Sequence, residues 1–290
     1  MRNRCAVAVA AGSAGVLALL WFGATTTSGQ AGAAASQARV ASGALRTADG
    51  KPSLNGIWQA INTANWDVEA HGPQMAPHPE LVGVYLAQPG GLSVVEGGAI
   101  PYKPEALARK QENARKRLAV DPSDREQGDP EAKCFMPGVP RATYMPYPFQ
   151  IVQGANQIWI TYEYANNSRQ VHMGKVAPAP VDTWMGQSVG HWDGDTLVVD
   201  VTSMNGKAWL DRAGNYTTDA VHVVERYTPT SPNTLQYEAA IEDANVFTRP
   251  WKISMPLYRR LEKDAQLIEF KCIPFAEPIL YHTLVKQSSK

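Results

Sequence analysis

Asp200 is one of four side chains with proton-transfer chemistry that we single out, and three of the four lie in segments patterned like β-strands. It follows the run LVV at 197–199, in which alternate residues point to opposite faces of a strand. If the face of Val198 lines the protein interior, burial raises the pKa of Asp200, which suits a general acid or base. The alternative is a structural carboxylate paired with an arginine, such as Arg169 or Arg226.

His222, His172 and Glu163 complete this candidate set. Histidine changes charge near neutral pH, and Glu163 shares a strand face with Trp159, which resembles a carboxyl group in an aromatic pocket. We therefore predict cofactor-independent acid/base catalysis by Asp200, His222, Glu163 and His172. The alternative is that the histidines are hydrogen-bonded structural side chains.

A second set of residues has the chemistry of ligand binding. Arg169 is a candidate for holding an anionic group. A small barrel cannot bury every tryptophan of this chain in its wall, so we expect some aromatic side chains to line a cavity for an apolar or aromatic molecule. The predicted substrate-binding residues are Arg169, Trp159, Tyr162, Trp184 and Trp209.

The sequence lacks the common nucleotide and hydrolase motifs, such as a phosphate-binding loop or a zinc-protease helix. The segment GQSVG at 186–190 has the spacing of a serine nucleophile motif, but it precedes a hairpin and not a strand-to-helix turn. His172, His191 and His222 lack the short spacing of a metal site. We predict neither a cofactor nor a metal.

The segments that carry these residues predict an all-β protein. Strand patterns occupy 149–152, 157–164, 187–192, 196–202, 221–227, 234–242, 251–257 and 267–272. The pair Asp193-Gly194 between apolar runs indicates a hairpin. The regular spacing predicts an antiparallel, lipocalin-like barrel with a hollow interior, or alternatively a sandwich. One surface helix is predicted at 104–119, and long loops surround it.

The first 35 residues have the pattern of a secretory signal peptide. Arg2 and Arg4 precede an apolar run, and small residues follow at 29–35. Cleavage would leave a flexible lead-in at 36–53 and a single barrel domain at 54–290, with an irregular and helical insertion at 70–142. We expect an exported, periplasmic or secreted protein with no membrane association after cleavage.

The charge balance argues against nucleic acid as a partner. The chain has 27 basic and 27 acidic residues, whereas binding to phosphates needs a basic surface. The expected partner is a small apolar or aromatic molecule.

Cys134 and Cys272 are the cysteines that remain after removal of the signal segment. In an exported protein, two such cysteines predict a disulfide bond. The alternative is two separate buried thiols.

The sequence resembles a family of exported bacterial proteins over residues 54–251. The most specific shared segment is WMGQSVGHWDGDTLVVD at 184–200, and others are LNGIW at 54–58 and DPEAKCFMPGVPR at 129–141. The resemblance implies a single-domain exported protein and supplies no activity. A weaker similarity to lipocalin-like barrels lies in GIW at 56–58, which fits the G-x-W start of their first strand.

Two hypotheses for function follow from these residues. The first is an exported enzyme (a lyase, isomerase or hydrolase) that acts on an apolar or aromatic compound through Asp200, His222, Glu163 and His172. The second is a non-catalytic periplasmic binding or carrier protein for a hydrophobic ligand. An enzyme of this kind needs two titratable groups that converge on one cavity, whereas a carrier needs an apolar pocket with few polar anchors.

Overall fold

A computed structural model describes residues 45–75, 87–117 and 128–274. The predicted signal peptide at 1–35 lies outside these ranges, as do residues 36–44 of the predicted lead-in. Residues 45–53 of that lead-in are described, and Arg46 forms an ion pair with Asp195 at 2.9 Å. None of the helices in the described ranges has the length and apolar character needed to span a bilayer.

The described residues form nine β-strands, two α-helices and two short 3-10 helices. The strands are β1 (Gly56–Ala60), β2 (Phe149–Gln153), β3 (Gln157–Tyr162), β4 (Asn167–Met173), β5 (Gln187–Asp193), β6 (Thr196–Thr202), β7 (His222–Ser231), β8 (Thr234–Glu242) and β9 (Trp251–Arg259). The helices are α1 (Pro104–Lys116) and α2 (Arg141–Tyr144), and the 3-10 helices are Glu131–Lys133 and Tyr164–Asn166.

The nine strands close into a barrel in sequence order, which confirms the all-β barrel prediction over the sandwich alternative. Closure occurs at β1, where Trp58 is paired with Phe149 of β2 on one side and with Arg259 of β9 on the other. A closed sheet leaves no unpaired edge strand. The predicted strand at 267–272 is not a strand in the structure.

One strand pair departs from the antiparallel prediction. β4 and β5 are parallel and pair only through Val171–Met173 with Ser188–Gly190. Parallel neighbours need a connection that returns the chain to the end at which the first strand began. Residues 174–186 make this return, and they deliver Trp184 beside the start of β4.

The two ends of the barrel differ because of this connectivity. Short turns at 154–156, 194–195 and 232–233 join strands at one end. The other end, which we call the loop end, carries the long connections at 61–148, 203–221 and 243–250. Loops on a rigid scaffold are where binding residues concentrate, so the loop end is the natural place to seek a site.

The barrel interior is filled with side chains, which corrects the expectation of a hollow centre. Alternation along each strand points one residue in two inward, and these inward side chains leave almost no accessible surface. Those that are at most 1 % exposed include Phe149, Ile151, Ile158, Ile160, Val171, Leu197, Val199, Val201, Val223, Leu235, Ala239, Ile253 and Leu257.

A polar group lies within this packed interior. Arg169 Nη1 of β4 is 2.7 Å from Glu225 Oε2 of β7, and both side chains are buried. The hydroxyl groups of Tyr227 and Tyr237 donate hydrogen bonds to Glu225 Oε1 at 2.9 and 2.8 Å. The buried carboxylate therefore has both a counter-ion and hydrogen-bond donors, which a charge in a protein interior requires.

A second buried polar group supports the loop end. Arg141, at the start of the fully buried helix α2, contacts Asp129 at 3.1 Å and Glu131 at 2.5 Å. Arg212 contacts Glu131 at 2.8 Å. Burial alone would raise the pKa of Glu131, but the two guanidinium groups hold this pKa down to about 2. The Glu131 carboxylate therefore ties the segment 129–141 to the distant loop that carries Arg212.

Helix α1 lies on the surface, as predicted. Of its residues, Ala106 alone is buried. Pro104 occupies the first turn, where a missing N–H costs nothing, and Glu105 and Arg115 have the charges that the two ends of a helix dipole favour. The predicted end at 118–119 lies outside the described residues.

Candidate functional site

The predicted catalytic residues Asp200 and His222 contact each other on the outer face of the barrel. His222 Nε2 is 3.1 Å from Asp200 Oδ1, and the two side chains are 40 and 45 % exposed. The inward face of β6 is the one that carries Leu197, Val199 and Val201. Asp200 thus points to solvent and lacks the desolvation that would suit it to acid/base chemistry.

Glu163 and His172, the other two predicted catalytic residues, lie apart from this pair. Glu163 is buried just after β3, where its carboxylate accepts a hydrogen bond from the backbone N–H of Ile268 at 3.1 Å. This contact ties the C-terminal segment to the barrel. His172 is half-buried on β4 and lines a cleft, described below, that does not include Asp200, His222 or Glu163 among its lining residues.

The predicted substrate-binding residues fall into three groups. Arg169 and Tyr162 point into the packed interior, and Trp159 lies on the outer face with 39 % of its surface exposed. Trp184 and Trp209 line a cleft at the loop end. The structure therefore brings Trp184 and Trp209 together at one cleft, and it places Arg169 and Trp184 on the lining of another.

One cleft follows the short parallel pairing of β4 and β5. Because these strands pair over only three residues, their neighbouring ends separate and leave a volume of about 420 Å³. Its lining includes Arg169, His172, Trp184 and Ser188. The Arg169 guanidinium is already paired with Glu225, so this cleft offers no uncompensated charge.

The larger cleft, which we call the aromatic cleft, lies at the loop end and has a volume of about 590 Å³. This size is typical of small-molecule sites. Its walls come from α1, from the segment 128–135, from Trp184 and from the loop 203–221. The residues that line it are Arg109, Asn113, Gly128, Pro130, Phe135, Trp184, Asn205, Gly206, Lys207, Trp209 and Tyr216.

A stacked pair forms one wall of the aromatic cleft. The rings of Phe135 and Trp184 are 4.9 Å apart with an interplanar angle of 12°. Phe135 follows Cys134, which forms the predicted disulfide bond with Cys272. The two Cα atoms are 5.6 Å apart, within the normal range for a disulfide. The bridge thus fixes the segment that carries Phe135.

A small hairpin forms the opposite wall. Trp209 and Tyr216 are paired across it, and the Leu210 N–H donates to the Asn215 carbonyl at 2.6 Å. The Asp211 carboxylate accepts hydrogen bonds inside the turn from Ala213 N–H, Asn215 N–H and Asn215 Nδ2. These hydrogen bonds hold the turn that connects Trp209 to Tyr216.

Asp211 also carries an unusual protonation equilibrium. It is fully buried, and it accepts a further hydrogen bond from the backbone N–H of Val68. Burial, followed by the nearby Asp67 carboxylate, raises the pKa of Asp211 to about 7 against the opposing effect of these donors. The hairpin beneath the cleft therefore contains a carboxyl group that titrates near neutral pH.

Gly214 allows α1 to approach this hairpin. It has φ of +86°, and a Cβ atom there would lie 2.7 Å from Ala114 N and 2.8 Å from the Lys110 carbonyl oxygen. The Asn113 side-chain amide donates to the Gly214 carbonyl at 3.1 Å. Because Arg109 is one helical turn before Asn113, this close packing also directs Arg109 toward the cleft.

The described lining of the aromatic cleft carries positive charge. Among the described lining residues, Arg109 and Lys207 are cationic and none is acidic. The Arg109 guanidinium lies 4.7 Å from the ring centroid of Tyr216, a cation–π distance. Burial raises the pKa of the Tyr216 hydroxyl while Arg109 lowers it, and the net upward direction keeps this tyrosine neutral.

Comparison of this chain with protein-family models, curated proteins and solved structures found no match. Within the described part of the chain, no group of three or more His, Cys, Asp or Glu residues is arranged to hold a metal ion. The chemistry of the site must therefore be argued from its own residues.

Sequence patterns did not reveal several residues of the aromatic cleft. Arg109 belongs to a basic, amphipathic helix whose charges are typical of a solvated face. Phe135, Lys207 and Tyr216 lie in irregular segments with no periodicity. Among these residues, Phe135 could have been found from the sequence, because it directly follows a cysteine that was predicted to form a disulfide bond.

Proposed function

We propose that this protein is a non-catalytic binding protein that holds a small aromatic molecule in the aromatic cleft. The observation that carries the proposal is the lining itself. Four aromatic side chains, Phe135, Trp184, Trp209 and Tyr216, surround a volume of about 590 Å³ that is open to solvent at the loop end. The lining also carries the polar side chains of Arg109, Asn113, Asn205 and Lys207, so the cleft combines aromatic surface with groups that can orient a ligand.

The same lining favours binding over acid/base catalysis. None of the described residues of the aromatic cleft is a His, Asp, Glu or Cys. The predicted acid/base pair of Asp200 and His222 lies on the outer face of the barrel, where each side chain is solvated. A carrier needs no titratable pair, so the arrangement agrees better with the second of the two hypotheses.

The proposal includes a location outside the cytoplasm. The Cys134–Cys272 bridge supports it, since disulfides persist in oxidising compartments. The signal-peptide pattern at 1–35 points the same way. An exported binding protein for an aromatic molecule would meet its ligand in the periplasm or the medium.

Calorimetric titration with two probes tests the proposed function. The probes are 2-naphthoate and 2-naphthalenemethanol, which share an aromatic body and differ in charge. We expect at least one probe to bind with one-to-one stoichiometry. Trp184→Ala should raise its Kd by about tenfold, because an aromatic contact contributes roughly 1 kcal/mol or more.

Trp159→Ala is the matched control, since it removes the same side chain from the outer face of the barrel. Its Kd should equal that of the wild-type protein. Circular dichroism and thermal denaturation of both variants would establish that they fold. The proposal fails if neither probe binds, or if the two tryptophan variants weaken binding equally.

A further inference from the structure

We infer that the aromatic cleft selects ligands that carry a carboxylate, through the cationic side chains Arg109 and Lys207. This inference rests on the proposed function, because it specifies the chemical class of the molecule that the cleft binds. It assigns the anion-binding role to residues other than Arg169, which the sequence favours for that role.

The charged side chains on the described lining of the cleft are both cationic. Its described lining contains a guanidinium and an ammonium group and no carboxylate. Neither Arg109 nor Lys207 forms an ion pair with another described residue, whereas Arg141, Arg169 and Arg212 each have a carboxylate within 4 Å. Glu112 lies close enough to Arg109 to feel its charge, but it does not line the cleft. A concave surface whose lining is positively charged attracts an anionic ligand.

Arg109 is held in place by contacts between α1 and the small hairpin. Its guanidinium lies over the ring of Tyr216, and α1 is fixed to the hairpin by the close contact at Gly214. A guanidinium that stacks on an aromatic face keeps its N–H donors free in the plane of the group. Such a group is suited to two parallel hydrogen bonds with a carboxylate.

Lys207 is placed on the lining of the cleft by a tightly packed loop. It lies in the loop 203–221, which bends sharply at Gly206 with φ of +65°. A Cβ atom at Gly206 would lie 2.4 Å from the backbone nitrogen of Asp219, so only glycine permits this packing. The loop therefore places an ammonium group on the lining of the cleft to which α1 contributes Arg109.

The aromatic walls and the two cations of the cleft together define the kind of molecule that it can bind. Phe135 and Trp184 present a flat stacked surface, and Trp209 and Tyr216 face the same volume. A molecule with an aromatic ring and one carboxylate satisfies both the apolar walls and the two cations. A neutral aromatic molecule would contact the walls alone and form no ion pair with either cation.

The experiment compares the Kd values of 2-naphthoate and 2-naphthalenemethanol for the wild-type protein and two double variants. Arg109→Gln with Lys207→Gln removes both cations from the cleft. Arg115→Gln with Lys175→Gln removes the same charge from exposed positions that do not line it. Thermal denaturation would show that all three proteins are folded.

We expect the wild-type protein to bind naphthoate about tenfold more tightly than the alcohol, since hydrogen bonds to a charged group are among the stronger ones. The cleft variant should lose this preference and keep its Kd for the alcohol, and the control variant should retain the preference. Raising NaCl to 0.5 M should also reduce the preference of the wild-type protein, by screening.

Three outcomes would overturn the inference in distinguishable ways. If both probes bind the wild-type protein equally, the carboxylate preference is wrong and the proposed binding function stands. If both double variants lose the preference alike, the effect belongs to overall charge and not to Arg109 and Lys207. If neither probe binds, the proposed function itself fails.

Discussion

Arg169 and Arg109 occupy opposite environments in the same molecule. Arg169 lies inside the barrel with 3 % of its surface exposed, and its charge is matched by Glu225 at 2.7 Å. Arg109 lies on the exposed surface of α1, where its identified partner is the ring of Tyr216. The charge of Arg169 is neutralised by a carboxylate within the protein, whereas Arg109 forms no ion pair with another described residue.

The comparison of the two arginines distinguishes the part of the molecule that gives stability from the part that can bind a ligand. A filled barrel gives a rigid wall, and its polar interior stabilises or specifies the packing of β4 against β7. The loop end has the accessible volume, the aromatic surface and two cations, Arg109 and Lys207, that form no ion pair with another described residue. In this molecule the strands hold the loops in place, and the loops provide the surface on which a ligand can bind.

Removing the Cys134–Cys272 bridge should have the largest effect and acts on the loop end. The double variant Cys134→Ser with Cys272→Ser should lower the free energy of unfolding by about 4–5 kcal/mol, because the bridge spans 138 residues. Urea denaturation measures this change. Oxidised and reduced wild-type protein serve as the control pair, and equal midpoints for the two would contradict the prediction.

Replacing Arg169 tests the interior half of the contrast. Arg169→Leu leaves the Glu225 carboxylate buried without its counter-ion, and we expect a loss of about 3–5 kcal/mol in the free energy of unfolding. Arg169→Leu with Glu225→Leu removes both charges and should recover at least part of this loss. A double variant less stable than the single one would show that the pair is not the main interaction at this place.

Asp211 should make the stability of the loop end depend on pH. Its pKa is near 3.8 when unfolded and about 7 when folded, so between these values the folded protein binds a proton that the unfolded chain has released. The free energy of unfolding should therefore fall as the pH rises from about 4 to about 7, and this contribution should be constant above that range.

Thermal denaturation of the wild-type protein and Asp211→Asn across pH 4–8 measures this dependence. The variant cannot ionise at this position, so its curve should lack that part of the slope. Glu131 acts in the opposite sense, since its lowered pKa adds stability that is lost as the pH falls from about 4.5 toward 2. Parallel curves for the two proteins above pH 4.5 would argue against the assignment.

Removing the Asp200–His222 contact should have the smallest effect. His222→Ala should change the free energy of unfolding by less than about 1 kcal/mol, because both side chains are close to half exposed and solvent screens the pair. Titration with 2-naphthoate should give the wild-type Kd. A loss of probe binding in this variant would instead connect the outer face of the barrel to the site.

Alternation of apolar residues was enough to predict the barrel and to sort the residues of individual strands into two faces. On β7, the spacing of Val223, Glu225 and Tyr227 assigns them to one face, and all three are buried. The bridge between Cys134 and Cys272 was also accessible to reasoning, because few cysteines were available to pair. These features depend on local periodicity or on simple counting.

The remaining features depend on contacts between distant segments. Pattern alone could not tell which face of β6 points inward, so Asp200 was a candidate until pairing with β5 and β7 fixed its direction. Nor does the sequence show that Arg169 meets Glu225, or that Gly214 brings α1 against the hairpin. Each requires the closed barrel to be in place before the partners are near one another.

The covalent clasp beside Phe135 also sets an order of assembly. Cys134 precedes eight of the nine strands, and its partner is 138 residues later, beyond the end of β9, so a ribosome must finish the whole barrel before the clasp can close. Oxidation then becomes the last event that completes the ligand-facing wall. A nascent chain held in a reducing compartment would carry every ring of that wall without the bond that secures it.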